Sequence, residues 1–192
     1  MGNKVRFGLK SVNVAFRDVD SSGGEPTWGT PIPIPGAVGF KPAAEGDDVK
    51  FFADNSAYFT ATANNGYTAD LEVALIPDSV LIAMMNWATD ANGAVVEDAD
   101  ALPAPFALMF EVEGDARNRR TVFYECYASR PEREEKTKGQ SLEPGSETLK
   151  ITITPITIDG VSTVKSTLEL SDTNATQYDA FFTDVYVPEA VA

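Results

Sequence analysis

Glu111 and Glu113 stand two apart in an alternating strand-like run, and Asp98 and Asp100 repeat that spacing a little earlier. Acid/base hydrolysis needs two carboxylates flanking one bond, usually carried by different strands. Two acids on one face of one strand instead make a solvated or partner-facing surface. Asp90, Asn92, Glu97, Asp98 and Asp100 form an acidic cluster of the kind that holds Ca²⁺. An EF-hand loop, however, wants acids at its first, third and fifth places and glycine at its sixth, whereas Gly93 follows Asp90 by three. The cluster therefore reads as an acidic loop. Cys126 is the single cysteine, and there is no histidine in the chain. No Cys–His pair can form, and the usual general base and commonest metal ligand is missing. Set between Tyr124 and Tyr127, Cys126 reads as a small buried hydrophobe. There is no GxGxxG, Walker loop or CxxC, so neither catalysis nor a cofactor is expected.

The basic residues are no more suggestive of a nucleic-acid site. Arg117, Arg119 and Arg120 make a short basic turn, and Arg130, Arg133, Lys136 and Lys138 are interleaved with Glu132, Glu134 and Glu135. Single-strand binding wants charge of one sign with aromatics between. Mixed charge suits a solvated loop or complementary bridges to a neighbouring subunit. The whole chain of 192 residues carries a formal net charge of −14, which repels phosphate backbones and anionic lipid heads. A lone cysteine allows no internal disulfide. Lys4, Arg6 and Lys10 leave no apolar run of the signal-peptide kind, and no stretch approaches the roughly 18 apolar residues of a membrane span.

The elements that would position these residues are mostly strands. Val12, Val14 and Phe16 alternate with Asn13, Ala15 and Arg17, the pattern of a half-buried strand. The prolines at 31, 33 and 35 confine residues 30–35 to an edge or an extended arm. Residues 49–63 are rich in aromatic and small side chains, and Asn64-Asn65-Gly66 predicts a hairpin turn into a partner strand over 67–75. In that strand Leu71, Val73 and Leu75 are expected on one face, Asp70 and Glu72 on the other. Pro77-Asp78 opens a helix that should run to Asp90–Gly93, with Asp78 capping it. Strands follow over 106–113, 121–128 and 149–154, and Asp159-Gly160 turns one more pair. Tyr178, Phe181, Phe182 and Val185 form the stripe of a second helix capped by Thr173 or Asn174. One domain over residues 1–192 is expected, a β-sandwich or partly closed barrel with two short helices and a mobile polar loop at about 130–145. Phe51, Phe52, Tyr58 and Phe59 are harder to place in a monomer. An aromatic hairpin there packs in the core or adds its edge to another chain's sheet.

Seven stretches, in order along nearly the whole chain, resemble the major tail proteins of long-tailed, non-contractile bacteriophages and prophages. They are KVRFGLKSVNVAF, WGTPIPIPGAV, FFADNSAYFTATANNGYTADLEVALIPD, PFALMFEVEGD, RRTVFYECYASRP, LKITITP and DTNATQYDAFFTDVYVPE. Residues 133–141 are less characteristic. The resemblance implies a structural subunit of the tail tube, not an enzyme, with the tail-tube type of fold. It implies assembly in the host cytoplasm into hexameric rings that stack in the virion, with an inner β-barrel built from one sheet of every subunit. Genomic DNA passes through that barrel without specific binding. The implied partners are further copies of the chain, a tail-tip initiator, a tape-measure protein and a tail terminator; no cofactor, metal or membrane is implied. Residues 40–58 would be the loop that reaches a neighbouring ring. Contacts between subunits or rings would then involve Phe40, Asp47, Asp48, Phe51, Phe52, Tyr58, Phe59, Arg133, Lys136 and Lys138, and the acids facing the lumen would be Asp70, Glu72, Glu111 and Glu113. A second reading, a β-sandwich module that binds host glycans or another virion part, stays open at this point.

Overall fold

The computed structural model describes residues 7–18, 24–46, 48–53, 56–133 and 145–189. The strands are β1 (Leu9–Asp18), β2 (Thr27–Trp28), β3 (Ile32–Pro33), β4 (Ala37–Glu45), β5 (Asp48–Ala53), β6 (Ser56–Thr62) and β7 (Gly66–Val73). After helix α1 (Asp78–Met85) come β8 (Ala88–Thr89), β9 (Val95–Val96), β10 (Phe106–Val112), β11 (Arg120–Ala128), β12 (Glu132–Arg133) and β13 (Glu147–Ile153). The chain continues through β14 (Ile156–Ile158), β15 (Val161–Thr163), β16 (Lys165–Leu168) and helix α2 (Ala175–Ala180).

Ten strands form one antiparallel sheet in the order β2-β1-β10-β11-β13-β7-β4, with β3 beside β1, β12 beside β13 and β16 beside β11. The sheet is mainly β in the expected way but does not close into a barrel. Its division is made at β11. Arg120–Phe123 pair with β16, whereas Cys126–Ala128 pair with β13. Between them the register to β10 slips, Leu108 facing Phe123 and Phe106 facing Cys126, so Tyr124 and Glu125 sit in a bulge. A bulge bends and twists its strand, here enough for one edge to serve two partners.

The core lies on both sides of β1 and β10. Val12, Val14, Phe106 and Leu108 pack on one side with Leu71, Val73, Leu149, Ile151 and the buried residues of α1. Ala15, Ala107, Met109, Val122 and Tyr124 pack on the other with Ile158 and Phe181. The half-buried pattern expected for β1 is thus overturned, because Ala15 faces a second apolar layer and is fully buried. It holds for β13, whose burial alternates residue by residue.

Both helices are shorter than expected. Helix α1 stops at Met85 because Asn86 turns left-handed at φ 54°, and its backbone N–H returns to Ala83 and Ile82. That is a C-terminal cap of the αL type. Asp78 caps nothing; Pro77 is the N-cap, and its carbonyl accepts from Val80 and Leu81 at 2.9 and 3.0 Å. Helix α2 spans six residues; Phe182 follows it in a turn, and Val185 lies beyond that turn. The Asn174 side chain ties down the preceding loop, donating to the Glu169 carbonyl and accepting from Ser171 N–H at 2.8 Å each.

The expected hairpin around Asn64-Asn65-Gly66 is replaced by a longer ribbon. Strand β7 pairs with β4, from Ala37–Val73 down to Glu45–Gly66, while β5 pairs with β6 beyond that point. Local turn chemistry was satisfied in another way: Gly66 N–H donates to the Asn64 side chain and Asn65 N–H donates to Glu45 O. Leu75, expected on the same strand face as Leu71 and Val73, lies past the end of β7 and is 65% exposed.

Candidate functional site

The residues that could do chemistry are bound up in structural contacts. Glu111 accepts from Ser11 Oγ at 2.9 Å and pairs with Arg120 Nε at 3.1 Å and Lys10 Nζ at 3.8 Å. Glu113 lies past the end of β10 and is exposed, its own N–H donating to Gly8 O at 2.8 Å. Asp90 Oδ1 accepts from the backbone of Asn92 and Ala94 at 2.8 Å each. Those two backbone donors, Ala94 first, hold the Asp90 carboxyl below its ordinary pKa. Asp98 accepts from Asp100 N–H at 2.9 Å, and Glu97 pairs with Arg130 at 2.8 Å. Among the described residues there is no cluster with the side chains to hold a metal. Cys126 is wholly buried, and burial pushes its thiol pKa upward, away from the reactive thiolate.

The expected contact residues fall in four places. Phe40 is in a strand, not a loop: it lies on β4 opposite Leu71, its ring 5.2 Å from Phe110 and 5.7 Å from Phe123. Its ring is therefore committed to its own subunit. Asp48, Phe51, Phe52, Tyr58 and Phe59 lie on the β5–β6 hairpin, where Phe51 is in register with Phe59 and Asp48 with Thr62. Asp47, Lys136 and Lys138 lie outside the described residues. Arg133 is tied within the chain: its Nε is 2.8 Å from Glu147, whose other oxygen accepts from Ile76 N–H at 2.8 Å. The four expected lumen acids are split. Asp70 and Glu72 are on β7, three strands away from β10 with Glu111, with β13 and β11 between them. Glu111 is held beside α2 by Arg120, whose guanidinium also donates to Tyr178 O and lies 3.9 Å from the Tyr178 ring centroid.

What remains is an outward sheet face and a separate hairpin. The first is the outward face of β12, β13, β7 and β4. Lys41, Asp70 and Lys150 stand in one row across three strands, and Lys150 Nζ reaches Glu132 at 2.6 Å. Bonding to Glu132 raises the Lys150 pKa, and Asp70 adds to the effect. Rows of Ala43, Thr68 and Thr152, and of Gly39, Glu72 and Thr148, flank the charged one. The second part is the hairpin β5–β6, a two-stranded sheet that pairs with no other strand among the described residues. Along its ladder apolar pairs (Val49–Ala61, Phe51–Phe59) alternate with polar ones (Asp48–Thr62, Lys50–Thr60).

Sequence reading missed the buried charges. Glu125, 5% exposed, sits at the β11 bulge with Arg17 Nη1 3.2 Å from Oε2 and Tyr127 donating to Oε1 at 2.6 Å. Burial, then the bond to Glu125, pushes Tyr127 up to about 12. Asp115, also buried, is gripped by Arg119 at 2.6 and 3.0 Å. The one available signal was an acid set inside the apolar run Val122–Ala128. A charge there needs a partner, but nothing local names Arg17.

No protein-family model and no curated protein matches the chain. Solved structures do. One match is a chain of the 6-fold symmetrised anti-feeding prophage baseplate, at 10% identity over 88% of this chain and 97% of that one, TM-score 0.48. Another is in the sheath-tube complex of an extracellular contractile injection system in the extended state, at 7% identity over 87% and 94%, TM-score 0.48. A third is in the tube-terminating cap of the anti-feeding prophage, at 7% identity over 88% and 95%, TM-score 0.46.

Proposed function

We propose that this chain is the repeating, non-catalytic subunit of a phage tail tube, joining copies of itself head to tail into stacked, hexameric rings that conduct DNA. The observation that carries the reading is the hairpin β5–β6, which pairs only with itself among the described residues. An isolated two-stranded hairpin is at best marginally stable in water, so such an arm calls for a second surface. The open edge of β4 makes the same demand, since residues 41–45 are all exposed. The ordered stretches KVRFGLKSVNVAF to DTNATQYDAFFTDVYVPE give the demand a known kind of solution. In this reading the arm docks on a copy in the adjacent ring.

The face with Asp70 and Glu72 then lines the passage, and Glu111, neutralised beside α2, does not. That wall is not uniformly acidic: Lys41 and Lys150 flank Asp70, and the rest is largely Thr, Ala and Gly. A duplex gains affinity from clusters of cations, and here each cation is offset by an acid. DNA therefore passes without being held.

Replacing residues 48–62 by a short Gly-Ser turn tests the reading. The core stays intact because, among the described residues, the arm pairs only with itself. Rings should still form, while tubes are lost under the electron microscope. Tubes as long as those of the intact chain would sink the role given to the arm.

A further inference from the structure

The chain of charges that crosses β4, β7 and β13 and ends on β12 has a polarity. Lys41, Asp70 and Lys150 face one another across the ladder, and Lys150 Nζ reaches over at 2.6 Å to Glu132, which is in register with Thr148 in the next row, so the charges alternate in sign and end in opposite charges. Both ends are open. Lys41 is exposed on the edge strand β4, is in register with Asp70 across the ladder and makes no ion pair among the described residues. Glu132 is on the two-residue strand β12, its side chain 68% exposed. We infer that Lys41 and Glu132 are a complementary pair between copies, Lys41 of one copy meeting Glu132 of the next. This rests on the self-assembly proposed above and specifies where and in which sense it occurs.

Three arguments select a second copy as the occupant. Head-to-tail apposition continues the alternation without a break, whereas a two-fold pairing of like edges sets Lys41 against Lys41 or Glu132 against Glu132. Like charges directly opposite are destabilising, so the row favours heterologous contact, the kind that closes into rings. Pro42, next to Lys41, lacks the N–H that an added strand would use, so the edge does not accept any passing strand. Recognition then depends on side-chain charge. Finally, Gly39, Ala43, Thr68, Thr148 and Thr152 beside the charged residues are small enough not to obstruct the approach, and Glu72 among them accepts from Ser146 Oγ at 2.6 Å.

The test uses two single reversals of the full chain, Lys41→Glu and Glu132→Lys, each checked for an unchanged melting transition as a monomer. Alone, each should need about tenfold or more protein than wild type to assemble, because every contact sets like charges together. Mixed in equal amounts they should assemble near the wild-type concentration, since alternating copies restore an opposite pair at every contact. Either variant assembling like wild type, or a mixture no better than its components, overturns the pairing while leaving tube assembly standing. A wild-type chain that never assembles, even with tail-tip components, overturns the assembly reading itself, and the pairing with it.

Discussion

At the root of the β5–β6 arm two glycines carry the close approach of backbones. A Cβ on Gly66, at φ +109°, would lie 1.9 Å from the Ile153 carbonyl oxygen, and one on Gly46 would lie 1.8 Å from that of Ala63. No side chain fits either place. Gly93, at φ +84°, has nothing within 4 Å of the equivalent point and answers only for its dihedral. Gly66→Ala should therefore cost at least about 3 kcal/mol, and Gly93→Ala about 1 kcal/mol. Urea midpoints of the two variants measure the difference; equal shifts would mean that Gly66 is not pressed against β13. Asn65-Gly66 was legible as a place needing an unusual backbone, but not as the junction of a ribbon and an arm. Positive φ at Gly66 serves a turn and a close strand crossing alike. The same limit hid Arg17 from Glu125: the pair is made by a bulge 108 residues away in the chain, and no spacing rule reaches that far.

Among the elements, α2 is held by chemistry more than by its own length. A helix of six residues does not stand alone. Arg120 fastens it, joining Glu111 on β10 to the Tyr178 carbonyl and lying over the rings of Tyr178 and Phe182. Tyr178 in turn donates to Asn118 O at 2.7 Å, and Tyr124 donates to Tyr186 O at 2.9 Å. Arg120→Ala leaves Glu111 without its nearest cation and should destabilise the fold by about 2–4 kcal/mol. Arg120→Lys should recover less than half of that, because an ammonium cannot lie flat on two rings and bond in the same pose. Urea denaturation followed by near-ultraviolet circular dichroism reads both; full rescue by lysine would reduce the contact to simple charge. Element type was legible wherever one face meets the core and the other meets water, as in β13. Element length was not. Asn86 ended α1 by adopting αL, with its N–H returned to Ala83 and Ile82.

For the molecule as a whole, an open ten-stranded sheet and an arm that among the described residues pairs only with itself are the features a monomer does not explain. The mainly β fold was legible from alternation and turn residues. The site was legible only in part, because its edge is defined by what is not beside it, and residue types do not record a missing neighbour. Asp70 and Glu72 were placed on an outward face by period alone; Glu111 and Glu113 were not separable from them until β11 and β13 lay between. The most direct measurement is negative-stain electron microscopy of the purified chain, run beside its sedimentation velocity at increasing concentration and with tail-tip components added. The account predicts rings and hollow tubes, with six-fold projections. Particles that stay monomeric under every one of these conditions would contradict it.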